Sequence, residues 1–195
     1  MARNVMQVKE KKDRYQVCYI PGDDSGYDVM EAAMIVMQAL NPPIDWVRAD
    51  MGWSMWEKSC KEFPEGDKRR NTVPQETIDK VRDTDATFMA AITSKAGVKG
   101  FKSAILQMRQ IFDLYINFRP AKLMPGLECP LKGDPKIDIK LFRENTEDLY
   151  SAVEWRPLPR EMFDLHPGME RFKDKEEVAV AWRVYSKVGC DKIIS

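Results

Sequence analysis

Apolar positions in the first half of the chain switch between two periods. YQVCYI (15–20) is a short run rich in β-formers and predicts a strand. The turn text PGDDSG follows, and then YDVMEAAMIVMQAL (27–40), whose apolar residues recur at helical spacing. IDWVRAD (44–50) predicts a second strand and WSMWEKSCKEF (53–63) a second helix. TVPQETIDKVRDT (72–84) reads as a capped helix with proline in its first turn. ATFMAAI (86–92) is a compact buried-strand candidate, and SKAGVKG (94–100) a loop carrying glycine and lysine. KSAILQMRQIFDLY (102–115) predicts a helix, and INFRPAKL (116–123) an extended segment up to its proline. Strand–helix alternation of this kind argues an α/β domain with a largely parallel sheet.

The second half reads differently. After the loop MPGLECPLKGDP come IDIKLFRE, DLYSAVEWR and EEVAVAWRVYS, three strand-like runs with no obvious helix between them. The proline-rich, charged text PLPREMFDLHPGMERFKDKEE separates the last two and predicts a long excursion or arm. A domain change is therefore expected near Tyr115. Helical text resumes at SKVGCDKIIS, where the chain stops. Two turns with an uncovered apolar side are marginal alone, so the expectation is a helix that has only begun, in a longer protein.

Composition narrows the classes without deciding among them. With 195 residues, 44% of them hydrophobic and 32% charged, the chain is long enough for a core and reads as soluble and globular. Lys+Arg and Asp+Glu both total 31, so charge gives no reason to expect nucleic acid or an anionic membrane as partner. No apolar run approaches the length of a membrane helix, and MARNVMQVKEKKDR lacks the apolar stretch of a secretory signal. Cys18, Cys60, Cys129 and Cys190 are far apart and form no CxxC pair, which fits a reducing, cytoplasmic setting and supports neither a disulfide nor a zinc site. His166, in DLHPG, reads as a surface histidine in a turn.

The chemistry concentrates in LFRENTEDLY (141–150) and in the arginines upstream of it. Arg109, Arg119 and Arg143 stand in apolar text, where a guanidinium needs anionic company. Spacing allows internal pairs, Arg109 with Asp113 and Arg143 with Glu144 or Glu147. It equally allows the three forks to converge on a ligand with several carboxylates. Tyr150 is then a candidate proton donor, or else a half-buried strand tyrosine. Ser103 is either a helix N-cap or a ligand donor. The loop PGDDSGYDVM has neither GxGxxG nor GxxxxGK[ST], and Asp23 and Asp24 would repel a phosphate.

On these residues the chain resembles a known family, the metal-dependent decarboxylating dehydrogenases that act on isocitrate, homoisocitrate and 3-isopropylmalate. YIPGDDSGYDVMEAA is similar to the family's opening strand, glycine loop and helix. SAILQMRQIFDLYINFRPAK resembles its S-x-N-x-x-L-R…DLYAN-x-RP segment, and RENTEDLYSAVEW its RENTEDLYAG-x-E signature. The resemblance implies an α/β, non-Rossmann isocitrate/isopropylmalate dehydrogenase-like fold. Residues 1–114 would be the N-terminal part of an incomplete large domain and 115–147 the start of a small domain. Residues 148–186 would be a strand-rich dimerisation arm, and 187–195 a helix cut short.

RENTEDLY and Ser103 point toward the isocitrate branch, whereas RPAKLMPGLE is more like the isopropylmalate branch. The implied reaction is oxidation of isocitrate by NADP or NAD, followed by Mg²⁺- or Mn²⁺-assisted loss of CO₂. Arg109, Arg119 and Arg143 would bind substrate carboxylates, and Ser103 the one that distinguishes the substrate. Tyr150 would protonate the enolate, and Thr93 and Ser94 would lie beside the nicotinamide. No residue here matches the family's metal-binding aspartates or catalytic lysine, so this chain alone is expected to be inactive. The complete enzyme is expected to be a homodimer. Asp24, Ser25 and Tyr27 depart from the family's loop, and Ile105 stands where isocitrate enzymes commonly carry asparagine. These departures leave open a non-catalytic, ligand-binding or regulatory subunit.

Overall fold

A computed structural model of the chain describes residues 11–95, 97–133 and 135–194. The chain divides into two compact units, one ending at Gln107 and the other beginning at Met108. That junction falls inside a helix, upstream of the change in sequence character near Tyr115.

The first unit is built on β1 (Tyr15–Ile20), α1 (Ser25–Leu40), β2 (Ile44–Arg48), α2 (Trp53–Glu62), α3 (Gln75–Asp83) and β3 (Ala86–Met89). The three strands form one parallel sheet in the order β2-β1-β3, with Val17 of β1 level with Trp46 on one side and Ala86 on the other. Cys18 and Ile20 are fully buried and Val17 nearly so, as a central parallel strand covered on both faces requires. Met30 of α1, Trp56 of α2 and Ile78 of α3 fill the core around them. Buried threonines are satisfied locally: Thr77 Oγ1 donates to the Asp50 carbonyl at 2.6 Å and Thr72 Oγ1 to the Lys102 carbonyl at 2.8 Å.

Boundaries move where backbone chemistry overrides pattern. The strand expected over 86–92 ends at Met89, because Ala90 makes one more bond to Ile20 before Ala91 turns its carbonyl to the N–H of Asp23. At α3, Pro74 stands at the N-cap itself and no side chain caps the helix, so the expected capped start is corrected. The Pro74 carbonyl takes the first N–H groups, those of Thr77 and Ile78.

α4 (Ala104–Ile111) carries the chain across the junction. The second unit then continues through β4 (Ile116–Lys122), β5 (Asp138–Glu144), β6 (Glu154–Trp155), β7 (Val180–Ala181) and α5 (Lys187–Ile194). β4 and β5 pair antiparallel in a two-stranded ribbon, with Ile116 opposite Glu144 and Lys122 opposite Asp138. The strands expected over 148–156 and 176–186 shrink to the two-residue pair β6–β7. Asp148 (φ 59°), Ala152 (φ 53°) and Glu177 (φ 51°) adopt left-handed backbone, which breaks the extended path, and residues 149–151 coil into a 3-10 turn. The two segments still bond on either side of the pair, through Asp148–Val184 and Trp182–Val153. The excursion between them carries 3-10 turns at Arg160–Leu165 and Pro167–Phe172. Exposed His166 caps the second turn, its Nδ1 accepting the Gly168 N–H at 3.0 Å.

α5 is anchored at its start. Ser186 Oγ accepts the Gly189 N–H at 2.9 Å, and the Glu147 carboxylate takes both the N–H and the hydroxyl of Ser186, at 2.7 and 2.6 Å. Gly189 is what admits that carboxylate, because a Cβ there would overlap it. Further along, Lys192 Nζ reaches both oxygens of Asp113 at 2.6 and 2.7 Å.

Candidate functional site

In the first unit one buried carboxylate organises the polar loops. Asp23, 4% exposed, accepts N–H groups from Trp53 at 2.7 Å, Ser54 at 3.0 Å and Thr93 at 3.3 Å. Two of these belong to the first turn of α2, where a negative charge also complements the helix dipole. The loops after β1 and β3 are thereby tied to the start of α2. Gly52 (φ 111°) is needed because a Cβ would overlap the Asp23 carboxylate. Asp23 is therefore an internal tie between these loops and α2.

Asp24 plays a different part. Its backbone is left-handed (φ 48°), and its carboxylate accepts the Thr93 hydroxyl at 2.5 Å. Ser94 Oγ lies 3.3 Å from Ser103 Oγ. Thr93, Ser94 and Ser103 thus form one polar edge in the first unit. The Ser103 carbonyl accepts the Gln107 N–H at 3.1 Å, at the start of α4. The loop between them is held onto α2 by rings: Phe101 lies 5.5 Å from Trp53 and 5.7 Å from Trp56, and Lys95 Nζ stands 4.0 Å over Trp53.

The second unit gathers the remaining candidates around Tyr150. Arg109, from α4, lies with its guanidinium 5.1 Å from the Tyr150 ring centroid. Arg143, from β5, lies 5.3 Å from the same centroid, and its Nη2 donates to the phenol oxygen. Gln110 holds the Tyr150 carbonyl at 3.4 Å. On β4, Arg119 donates from Nε to Asn117 Oδ1 at 3.2 Å. In the ribbon register Asn117 faces Arg143 and Arg119 faces Leu141. Because side chains alternate along a strand, Arg119 and Arg143 are diagonal neighbours on one face.

None of these three guanidinium groups makes an ion pair with a carboxylate among the described residues, whereas Arg14, Arg48, Arg69, Arg82 and Arg183 all do. The internal pairs allowed by spacing give way to other bonds. Asp113 takes Lys192, Glu147 takes Ser186, and Glu144 Oε1 accepts from Thr146 and from the Glu147 N–H. Burial pushes the Glu144 carboxyl up, but those N–H groups outweigh it and hold its pKa below the usual value. Arg119 and Arg143 are exposed, so the apolar text around them does not desolvate their charge.

Several contributors escaped sequence reasoning. Asn117 has the period-two spacing to Arg119 that puts both on one face, a signal present in INFRP. Gln110 and the Asp148–Arg183 pair had no such signal. Arg183 Nε and Nη2 hold the two Asp148 oxygens at 2.6 and 2.7 Å and draw its carboxyl down to about 2. Among the described residues no three His, Cys, Asp or Glu side chains gather as a metal site, so these residues alone do not fit a divalent ion. What they do fit is a polycarboxylate: three forked cations, two of them beside a phenol, on a surface of low carboxylate content.

The isocitrate/isopropylmalate dehydrogenase family profile matches residues 16–195. An isocitrate/homoisocitrate dehydrogenase of Thermus thermophilus is 38% identical over 181 residues, covering 92% of this chain and 44% of its own length. A 3-isopropylmalate dehydrogenase of Methanothermobacter thermautotrophicus is 35% identical over 140 residues, covering 71% of this chain and 37% of that protein. Among solved structures, isocitrate dehydrogenase from Methylococcus capsulatus superposes with a TM-score of 0.69 at 25% identity, over 92% of this chain and 45% of that one. The chain spans less than half the length of these relatives.

Proposed function

Because the chain belongs to the isocitrate/isopropylmalate dehydrogenase family, we propose that its arginine–tyrosine cluster takes part in oxidative decarboxylation of isocitrate to 2-oxoglutarate. The family is one of NAD(P)- and divalent-metal-dependent decarboxylating dehydrogenases, and its fold is the α/β fold described above. The observation that carries the proposal is the approach of Arg109 and Arg143 to the Tyr150 ring, at 5.1 and 5.3 Å, with Arg119 on the same ribbon face as Arg143 and none of the three ion-paired to a carboxylate among the described residues.

In this reading Arg109, Arg119 and Arg143 bind substrate carboxylates, each able to offer two parallel N–H donors. Tyr150 gives a proton to the enolate carbon left after CO₂ departs. Ser103 meets the carboxylate that distinguishes isocitrate from its homologues. Thr93 and Ser94 border the nicotinamide of NAD or NADP, which when bound accepts the substrate hydride; their hydroxyls suit its carboxamide. Mg²⁺ or Mn²⁺ would be held by residues other than those described. A cytoplasmic homodimer is the proposed form of the complete enzyme. No helix among the described residues is long and apolar enough to cross a membrane.

Homoisocitrate and 3-isopropylmalate are the alternative substrates, each named by a relative above 30% identity. A second reading, a ligand-binding or regulatory subunit without turnover, is favoured by Asp24, whose carboxylate occupies the Thr93 hydroxyl from a strained backbone. The test is a substrate panel of the three acids on the complete protein, with calorimetry alongside NAD(P)H production. Isocitrate turnover supports the first reading. Carboxylate binding without turnover of any acid supports the second, and absence of both removes the cluster as a substrate site.

A further inference from the structure

The loop after α2 and the loop before α4 enclose a cleft of about 750 Å³ in the first unit. That lies within the roughly 300–1,000 Å³ that small-molecule sites occupy. Thr93, Ser94 and Ser103 lie outside its lining, so it is separate from the polar edge assigned above.

Its charge is uneven in a way the fold maintains. Lys68, Arg70, Lys99 and Lys102 line it against only two carboxylates, Glu65 and Asp67. Both carboxylates are engaged. Glu65 pairs with Lys99 at 2.9 Å across an exposed rim, and Asp67 is clamped at 2.7 Å by Arg69, which lies outside the lining. Lys68, Arg70 and Lys102 make no ion pair among the described residues, so the cleft keeps their positive charge.

One of those cations is fixed in place. Arg70 donates from Nε to the Phe63 carbonyl at 2.8 Å and from Nη2 to the Cys60 carbonyl at 3.4 Å, at the C-terminal end of α2. A cation there also complements the helix dipole. Its Nη1 is left without a partner among the described residues. Beside it, Asn71 spends its Oδ1 on the Val73 N–H at 3.1 Å and keeps its NH₂ donors free. A preoriented guanidinium edge, an amide donor and two mobile ammonium groups converge on one concavity. Glu65 and Asp67 are the carboxylates of the lining, and neither is ion-paired to Lys68, Arg70 or Lys102 among the described residues.

We propose that this cleft binds a multiply charged oxyanion of diphosphate size. The fixed guanidinium offers a fork to one phosphoryl group, and the two lysines act as adaptable point charges on the rest. The inference is independent of the substrate reading, because none of the arginines around Tyr150 takes part.

Calorimetric titration of the 195-residue chain with inorganic pyrophosphate at constant ionic strength tests it, beside the double variant Lys68→Gln/Lys102→Gln and the single variant Arg119→Ala. The expected result is saturable binding, weakened about tenfold or more in the double variant and unchanged in Arg119→Ala. Both lysines are exposed, so the thermal unfolding curve of the double variant should match the parent and rule out misfolding as the cause. Absence of saturable binding, equal affinity in the double variant, or loss in Arg119→Ala instead would overturn the proposal.

Discussion

Arg143 donates to the phenol oxygen of Tyr150 while its guanidinium also lies 5.3 Å from the centre of the same ring. One arginine therefore touches both the acidic end of the tyrosine and its π-face, and Arg109 approaches that ring at 5.1 Å. Tyr150→Phe in the complete protein is expected to leave isocitrate affinity within about twofold while lowering turnover by about 100-fold or more. Parallel loss of affinity in calorimetry would mean that the hydroxyl binds substrate instead.

Arg119 should behave in the opposite way. It is exposed and bonded only to Asn117 among the described residues, so Arg119→Ala is expected to leave the unfolding midpoint unchanged. Carboxylate affinity should fall about tenfold or more, as for loss of a charge-assisted contact. A shifted midpoint with unchanged affinity would assign it to structure.

The two adjacent aspartates of the glycine loop should separate cleanly under mutation. Asp23→Ala strands three N–H groups and should cost about 3 kcal/mol in urea unfolding. At Asp24 the informative comparison is between two replacements that both lose the Thr93 bond. Asp24→Gly should be more stable than Asp24→Ala by about 1 kcal/mol, since only glycine adopts φ 48° without strain. Equal stabilities would show that the backbone there relaxes.

Gly189 reverses a general rule. Alanine normally stabilises a helix position over glycine by about 1 kcal/mol. Here a Cβ would displace the Glu147 carboxylate from Ser186, so Gly189→Ala should destabilise. In a Glu147→Ala background the same change should become stabilising, and a double-mutant cycle reads the sign directly.

Acid stability should carry the signature of Asp148. Its carboxyl is drawn down to about 2 by Arg183, below the unfolded value near ~3.9, so the pair stabilises fully above that value and its contribution fades as pH falls toward 2. Melting curves between pH 2 and pH 6 should therefore fall less steeply in Asp148→Asn than in the parent. Identical slopes would show that solvent already screens this pair.

How far the sequence carried depends on whether the deciding contact was local. The parallel sheet followed from strand–helix alternation, because each element there is at least four residues long and has its own period. The paired runs DLYSAVEWR and EEVAVAWRVYS misled, since the backbone is left-handed at Asp148, Ala152 and Glu177, and Asp148 is bonded to Arg183, 35 positions away. At the candidate site, Arg109, Arg119, Arg143 and Tyr150 were all visible as residue types. Which partners they lacked was not, because Lys192 and Ser186 claim the nearby carboxylates from the far end of the second unit.

The sheet order β2-β1-β3 also sets a timetable for synthesis. β1 is made before β2 and β3, yet its second flank is supplied only when residues 86–89 leave the ribosome. Until then a nascent chain can form only the β1–β2 pair, with one edge of its most apolar strand bare and Asp23 still lacking the N–H of Thr93. Stalled chains released with Met89 still inside the ribosomal tunnel should be digested rapidly through β1, and those extended past Ser103 should resist. Of the three described strands the central one is translated before both its neighbours, and its second edge is closed only by the last of them.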